Sequence, residues 1–188
     1  EGDVLTAVVE GTVTDVEEGN VANVVTSYKV MRGTTDVTDR YTFGDSIDGT
    51  LSIKPVEIEI TAASDSKEYD GTPLTNAGWN ITNGKLVGDD AITVTVTGSI
   101  TDPGTEDNIA SYATVTTGKQ SNYSFSYEKG QLVVRANTNE IVITAASDSK
   151  VYDGTALTNN GYTYTQNILA EGDVLTAVVE GTVTDVEE

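Results

Sequence analysis

The sequence contains neither cysteine nor histidine. Without cysteine, a disulfide framework, a thiolate metal site and a cysteine nucleophile are excluded. Without histidine, the chain lacks the commonest general base and the commonest zinc ligand. No apolar run approaches the roughly 18 residues that a membrane-spanning helix needs. We therefore expect no cofactor and no insertion into a membrane.

Basic residues are also scarce. Ten lysines and arginines face 30 aspartates and glutamates, which gives a formal net charge of -20. A field of this sign repels the phosphates of nucleic acids and of anionic lipids, so we expect neither as a partner. The charge favours solubility, and scattered acidic residues are typical of a solvated surface.

Two long repeats organise what is present. Residues 60–76, ITAASDSKEYDGTPLTN, return at residues 143–159 with two of seventeen positions changed. Residues 1–18, EGDVLTAVVEGTVTDVEE, return unchanged at residues 171–188. Self-similarity of this kind is the signature of a tandem repeat, with a period here of about 83–87 residues.

The repeats divide the chain into three parts. We interpret residues 1–56 as the C-terminal half of a repeat, residues 57–136 as a complete repeat, and residues 137–188 as the N-terminal half of another. A half-repeat exposes apolar faces and unpaired strand edges. We therefore expect neighbouring repeats as partners, and residues 137–188 of one molecule to complete residues 1–56 of another by strand exchange. The alternative is that each end folds by itself.

The apolar residues follow the period of a half-buried β-strand. Ile92, Val94 and Val96 alternate with threonines, which places aliphatic side chains on one face and hydroxyl groups on the other. The same alternation occurs at residues 5–10, 57–61 and 123–127. No segment shows a sustained helical spacing. The sequence predicts an all-β fold of tandem antiparallel β-sandwich repeats of Ig-like type, with β-grasp-like units as the alternative.

Glycines mark the expected turns. The tripeptide Glu128-Lys129-Gly130 has the pattern of a hairpin with glycine at a positive φ, and residues 45–49 take the same place in the first part of the chain. Asp70-Gly71 and Asp153-Gly154 are Asp-Gly turn signals.

Pairs of carboxylates are the first candidates for a site. A glycosidase needs two carboxylates facing each other across a cleft. Such pairs occur at Asp89 with Asp90, Asp36 with Asp39, and Asp45 with Asp48. Nothing in the sequence fixes any of them in this arrangement, so we predict no catalytic residue and no enzyme.

Two oxygen-rich loops, residues 45–49 and 106–108, are candidates for calcium. They lack the spacing and the terminal glutamate of an EF-hand, so solvated turns are the favoured interpretation and we predict no metal site. Lys67 and Lys150 recur in register. Burial of a lysine is costly unless it is paired or reacted, so each lysine either lies exposed at a strand end or forms an amide bond with an asparagine.

Aromatic residues recur in register at Tyr69 and Tyr152, and at Trp79 and Tyr162. An aromatic residue at a fixed position of a repeat belongs to the core more often than to a platform for a sugar ring. We therefore assign no ligand-binding residue from the sequence.

The segments Lys67-Glu68-Tyr69-Asp70-Gly71-Thr72 and Lys150-Val151-Tyr152-Asp153-Gly154-Thr155 resemble a known family. They are similar to the YDG-type repeat, close to the MBG repeats, of large bacterial surface proteins. Residues 39–53 are similar to the closing hairpin of that family. The resemblance implies an extracellular, adhesin-like protein of the bacterial cell surface or cell wall, and it supplies no catalytic residues. We expect a non-enzymatic structural stalk or spacer, or alternatively a module that binds a host glycan or matrix protein directly.

Overall fold

The computed structural model describes residues 2–186, and these residues form β-strands joined by loops, with no α-helix among them. The all-β prediction is confirmed. The strands are β1 Val4–Glu10, β2 Val21–Arg32, β3 Thr35–Asp36, β4 Gly49–Leu51, β5 Val56–Ala62, β6 Asp65–Glu68, β7 Trp79–Asn83, β8 Ala91–Thr97, β9 Gly104–Thr117, β10 Tyr123–Glu128, β11 Gly130–Arg135, β12 Ile143–Ala145 and β13 Tyr162–Tyr164. Single 3-10 turns lie at Val16–Glu18, Thr38–Arg40 and Gln120–Asn122.

The chain forms two compact units, each made from several segments. Unit 1 contains residues 2–61, 80–95 and 111–128, and unit 2 contains residues 62–79, 96–110 and 129–186. These units do not test the predicted repeat boundaries, which stay a prediction.

The strands form four sheets. In the first sheet β2 pairs with β1, β3 and β4, and in the second the order is β10-β5-β7. The third sheet has the order β6-β11-β9-β8, and β12 pairs with β13 in the fourth. The predicted alternating segments are all strands: they correspond to β1, β5, β8 and β10.

We call the complete repeat predicted at residues 57–136 the middle repeat. Its sheets are mixed rather than purely antiparallel. Strand β10 runs parallel to β5, with Tyr123 opposite Val56, and β11 runs parallel to β6, with Leu132 opposite Asp65. Strand β11 also pairs antiparallel with β9. The first two strands of this repeat, β5 and β6, are therefore neighbours of its last two, β10 and β11, an arrangement that alternation within each strand does not reveal. The β-grasp-like alternative lacks its helix in the part of the chain that the structure describes.

The predicted hairpin at residues 128–130 is wrong. Strands β10 and β11 lie in different sheets, so the chain passes from one sheet to the other at this point. Gly130 does not have a positive φ. A glycine is needed there because a Cβ would lie 2.4 Å from the carbonyl oxygen of Ala63. In the first part of the chain, β4 likewise pairs with β2 rather than closing a hairpin across residues 45–49.

The Asp-Gly turns are confirmed. Gly71 has φ +81° and Gly154 has φ +75°, a backbone conformation that glycine adopts without steric cost.

The two units have separate buried side chains. In unit 1 the buried apolar residues are Val30, Val37, Ile58, Ile60, Ala113 and Tyr123. In unit 2, Leu74, Leu132 and Val134 form a cluster, against which Tyr69 and Ile100 pack. Removal of these side chains from water supplies the main driving force for folding.

Candidate functional site

The most distinctive side-chain cluster lies in the repeated Asp-Gly-Thr turn. Asp70 Oδ1 accepts hydrogen bonds from the backbone N–H of Thr72 at 2.9 Å and from the Thr72 hydroxyl at 2.7 Å. The same oxygen accepts a bond of 2.6 Å from Lys67 Nζ. Lys67 also donates to the carbonyl oxygen and to the hydroxyl oxygen of Thr72. We call Lys67, Asp70 and Thr72 the first lysine clamp.

The second copy of the motif builds the same cluster. Lys150 Nζ donates to Asp153 Oδ1 at 2.9 Å, to Thr155 Oγ1 at 2.7 Å and to the carbonyl oxygen of Ala156 at 3.4 Å. The hydroxyl and the backbone N–H of Thr155 donate to Asp153. Lys150, Asp153 and Thr155 form the second lysine clamp. The clamp is therefore encoded locally, because it forms at both places where the motif occurs.

The clamps favour the ionised form of their aspartates. The hydrogen bond from Lys67 holds the pKa of the Asp70 carboxyl well below its usual range, and Lys150 lowers the pKa of Asp153 in the same way. The three donors of each ammonium group are directed at three oxygens. Within residues 2–186, no asparagine is among the hydrogen-bond partners of either lysine, so the geometry gives the amide cross-link no support.

Asn108 is a structural residue that the sequence did not reveal. It is fully buried, and its side-chain Nδ2 donates to the carbonyl oxygens of Ala63 at 2.7 Å and Asn76 at 2.9 Å. A Cβ on Gly98 would lie 2.7 Å from Asn108 Oδ1, so glycine is required beside this side chain. In the sequence, Asn108 belongs to the candidate calcium loop at residues 106–108, for which we favoured a solvated turn. The signal that was missed is the pair of glycines, Gly98 and Gly130, that leave room for it.

The other residues of the two loops considered for calcium do not come together in one site. Asp107 forms an ion pair of 2.6 Å with Lys129. Residues 44–48 are exposed. No group of three or more acidic side chains that could hold a metal ion occurs in the described part of the chain.

Two of the carboxylates that we considered for catalysis, Asp90 and Asp36, instead form hydrogen bonds with a tyrosine and with a turn. The Tyr123 hydroxyl donates to Asp90 Oδ2 at 2.5 Å and accepts a bond of 3.0 Å from the backbone N–H of Val87. Burial, followed by the bond to Asp90, raises the pKa of Tyr123. Asp36 caps Thr38 as Asp70 caps Thr72, and the Thr38 bonds lower its pKa.

A second tyrosine–aspartate pair lies in the first part of the chain. The Tyr41 hydroxyl donates to Asp3, which also accepts two bonds from the Arg32 guanidinium, at 2.5 and 2.8 Å. The Arg32 bonds, then the Tyr41 bond, lower the pKa of Asp3 to about 2. Asp3 therefore binds Tyr41 as Asp90 binds Tyr123.

The recurring aromatic residues differ in exposure. Tyr69 is half-buried against the cluster of Leu74, Leu132 and Val134, whereas Tyr152 is 60% exposed. Trp79 and Tyr162 are both half-buried. A core role fits Tyr69 but not Tyr152 as it stands here.

Unit 2 contains two open grooves at equivalent repeat positions. The first has a volume of ≈ 570 Å³ and is lined in part by Asn76, Val96 and Gly98. The second, of ≈ 310 Å³, is lined in part by Asn159, Val179 and Gly181. Aromatic residues are missing from the linings of both grooves.

These features define an all-β protein whose distinctive polar residues bond to one another. The family model of the YDG domain matches residues 53–130, so this segment is a YDG domain. The matched segment overlaps the complete repeat that we predict at residues 57–136. No curated protein and no solved structure matches the chain. No helix among the described residues is long and apolar enough to cross a membrane.

Proposed function

We propose that this chain is a non-enzymatic structural spacer from an extracellular, adhesin-like protein of the bacterial cell surface. The observation that carries the proposal is the parallel pairing of the first two strands of the middle repeat, β5 and β6, with its last two, β10 and β11. Six residue pairs join β5 to β10, from Val56 with Tyr123 to Thr61 with Glu128. Four pairs join β6 to β11.

This topology suits a segment that transmits a pulling force. A force applied at the start of β5 and at the end of β11 draws parallel neighbours along their length in opposite directions. The hydrogen bonds between them are then loaded together rather than one after another. Forced unfolding is governed by the unfolding rate, and this rate is lower when many bonds must break at once.

The polar contacts support the same role. Both lysine clamps direct their charged groups inward at the turn, and Asn108 ties the strand β9 to the carbonyls of Ala63 and Asn76. These groups are engaged in holding the fold. The charge of -20 favours the solubility of such a spacer.

Single-molecule pulling tests the proposal. The chain has no cysteine, so introduced pairs define the points of attachment. Pro55→Cys with Ala136→Cys loads β5 and β11 in shear, and Pro55→Cys with Thr117→Cys peels β5 from β10. All three sites are exposed. We expect a clearly higher unfolding force for the first pair, and equal forces would overturn the mechanical role.

The recurring groove favours a second candidate, a module that binds a host glycan or matrix protein. Ser99 and Thr182 occupy equivalent positions in the two grooves. Saturable binding to immobilised glycans or matrix proteins, abolished by Ser99→Trp with Thr182→Trp, would support this candidate. An absence of binding across such a panel would favour the spacer.

A further inference from the structure

Two identical stretches of sequence have different structures in this chain. The heptapeptide VLTAVVE forms β1 at Val4–Glu10, where it pairs with β2 from Val4 opposite Met31 to Glu10 opposite Val24. At residues 174–180 the same heptapeptide lies in no strand. Since the sequence is the same, the difference comes from the surroundings.

Each copy has one half of the environment that a strand of this repeat needs. All seven residues of β1 are exposed although β1 has a partner strand. In residues 174–180, Leu175, Ala177 and Val179 are half-buried and the residues between them are exposed. Strand β8, the equivalent in the middle repeat, has this alternating burial and also a partner strand. Thus β1 lacks the layer beneath it, and residues 174–180 lack the strand beside them.

The C-terminal segment already contains that layer. Leu157 and Val183 exchange two backbone bonds of 2.8 and 3.2 Å, as Leu74 and Ile100 do in the middle repeat. Its apolar residues are nevertheless exposed. Ile141 is 40% exposed and Ile143 is 48% exposed, whereas their equivalents Ile58 and Ile60 are 1% and 0% exposed. These side chains sit at core positions without the strands that would cover them.

The N-terminal segment contains the covering strands. Asn23 lies opposite Gly49 in β2 and β4, as Asn108 lies opposite Gly130 in β9 and β11. Gly11 also lies against Asn23, as Gly98 lies against Asn108. Asn23 is therefore the equivalent of Asn108. Among residues 2–186 its side-chain amide has no hydrogen-bond partner.

The acceptors for that amide are in the C-terminal segment. Asn108 donates to the carbonyls of Ala63 and Asn76. Their repeat equivalents are Ala146 and Asn159, and the bond from Ala146 N to Gly161 O matches the bond from Ala63 N to Gly78 O. The two ends of the chain thus hold the donor and the acceptors of one missing contact.

We propose that β2 and β4 of one copy dock on residues 141–183 of a second copy, with residues 174–180 taking the place of β1 on β2. Asn23 of the first copy then donates to Ala146 O and Asn159 O of the second. The β1–β2 hydrogen bonds are replaced by those of an identical heptapeptide, so the exchange of strands changes the free energy of hydrogen bonding very little. The net gain is the burial of Ile141, Ile143 and Leu157.

Gly49 provides a selective test of this docking. The atoms nearest to a Cβ at Gly49 belong to Asn23 and lie at 3.5 Å or more, an ordinary contact, so we expect Gly49→Ala to leave the free chain undisturbed. In the docked form it would meet the carbonyls of Ala145 and Ala146, because a Cβ at Gly130 would lie 2.4 Å from Ala63 O and 2.5 Å from Ala62 O. Gly44→Ala is the matched control, with nothing within 4 Å.

Sedimentation velocity supplies the readout. Each protein is refolded at concentrations spanning a hundredfold range so that the exchange reaches equilibrium. We expect the unmodified chain and Gly44→Ala to grow to dimers or longer species, and Gly49→Ala and Asn23→Ala to stay monomeric. Asn20→Ala, at an exposed position, controls for Asn23→Ala. A monomer at every concentration for the unmodified chain overturns the proposal, as does assembly unaffected by Gly49→Ala.

Disulfide trapping tests the register. Thr6 lies opposite Lys29, and antiparallel partners are 4.5–5.5 Å apart at Cα, within the range of a disulfide. Thr176 is the same residue of the second heptapeptide. Thr176→Cys with Lys29→Cys should give disulfide-linked dimers or polymers, and Thr6→Cys with Lys29→Cys should give a monomer with an internal disulfide. Monomers alone from the first pair contradict the proposed register.

Discussion

The side-chain amide of Asn108 donates a hydrogen bond of 2.7 Å to the carbonyl oxygen of Ala63, 45 residues earlier in the chain. A second bond of 2.9 Å joins the same nitrogen to Asn76 O. Asn108 itself is fully buried.

Asn108→Ala should therefore destabilise unit 2. The carbonyls of two half-buried residues, Ala63 and Asn76, would lose this donor, which lowers the free energy of unfolding by about 1–3 kcal/mol. Chemical denaturation followed by the fluorescence of Trp79, the one tryptophan of the sequence, measures the loss. Asn80→Ala, at an exposed position of β7, is the control and should change stability by less than about 0.5 kcal/mol. Equal effects of the two substitutions would contradict the assignment.

Gly130→Ala should be strongly destabilising although the φ of Gly130 suits any residue. The added Cβ would lie 2.4 Å from Ala63 O and 2.5 Å from Ala62 O, and these are backbone atoms that cannot move aside alone. We expect a loss of about 2 kcal/mol or more in the free energy of unfolding.

Gly104 supplies the control for Gly130. The nearest atom to a Cβ at Gly104 is Ile100 Cδ1 at 3.5 Å, an ordinary contact. Gly104→Ala should thus be tolerated. If both alanines were tolerated, the close approach at Ala62 and Ala63 would be wrong.

Alanine at the two Asp-Gly turns should have graded effects. Gly71 and Gly154 both have a positive φ, which costs a residue with a Cβ about 1–2 kcal/mol. At Gly71 the Cβ would also lie 3.0 Å from the Ala170 Cβ, whereas at Gly154 the nearest atom is Tyr152 Oη at 4.0 Å. Hydrogen exchange at each turn should show faster opening for both variants, with the larger change for Gly71→Ala. The reverse order would argue against the contact with Ala170.

The contacts of Asp3 with Arg32 and Tyr41 should make the stability of unit 1 sensitive to acid. The folded pKa of Asp3 is lowered from 3.8 to about 2. A lowered pKa in the folded state contributes stability that is present above the unfolded pKa of about 4 and is lost as the pH falls through the folded value. Stability should therefore decrease between pH 4 and pH 2.

Thermal melts at each pH, followed by tyrosine circular dichroism, measure that decrease. Asp3→Asn should remove part of the pH dependence. Asp48→Asn, on an exposed loop, should leave the pH dependence as it is in the unmodified chain. A profile unchanged by Asp3→Asn would exclude the ion pair with Arg32 as its source.

Local features of the sequence predicted the strands and the two Asp-Gly turns correctly. The alternation at Ile92, Val94 and Val96 fixes which face of β8 is half-buried, because neighbouring side chains of a strand point to opposite faces. The Asp-Gly-Thr turn closes through residues within five positions of each other, so the same six-residue motif produces both lysine clamps.

The non-local features could not be predicted in this way. The parallel pairing of β10 with β5 joins Tyr123 to Val56, and no alternation within either strand specifies a partner so distant in sequence. The prediction of a hairpin at Gly130 was wrong for this reason. Asn108 was missed because its acceptors come from two separate segments, and nothing in the residues next to it marks it as buried.

The heptapeptide VLTAVVE shows the difference between what the local sequence determines and what the tertiary structure determines. Its alternation of apolar and other residues determines that it can be a half-buried strand at either place. Only the tertiary structure decides that Val4–Glu10 is a strand and that residues 174–180 are not. The physical reason is that the backbone donors and acceptors of a strand are satisfied by a neighbouring strand. Strand β2 supplies them for the first copy alone.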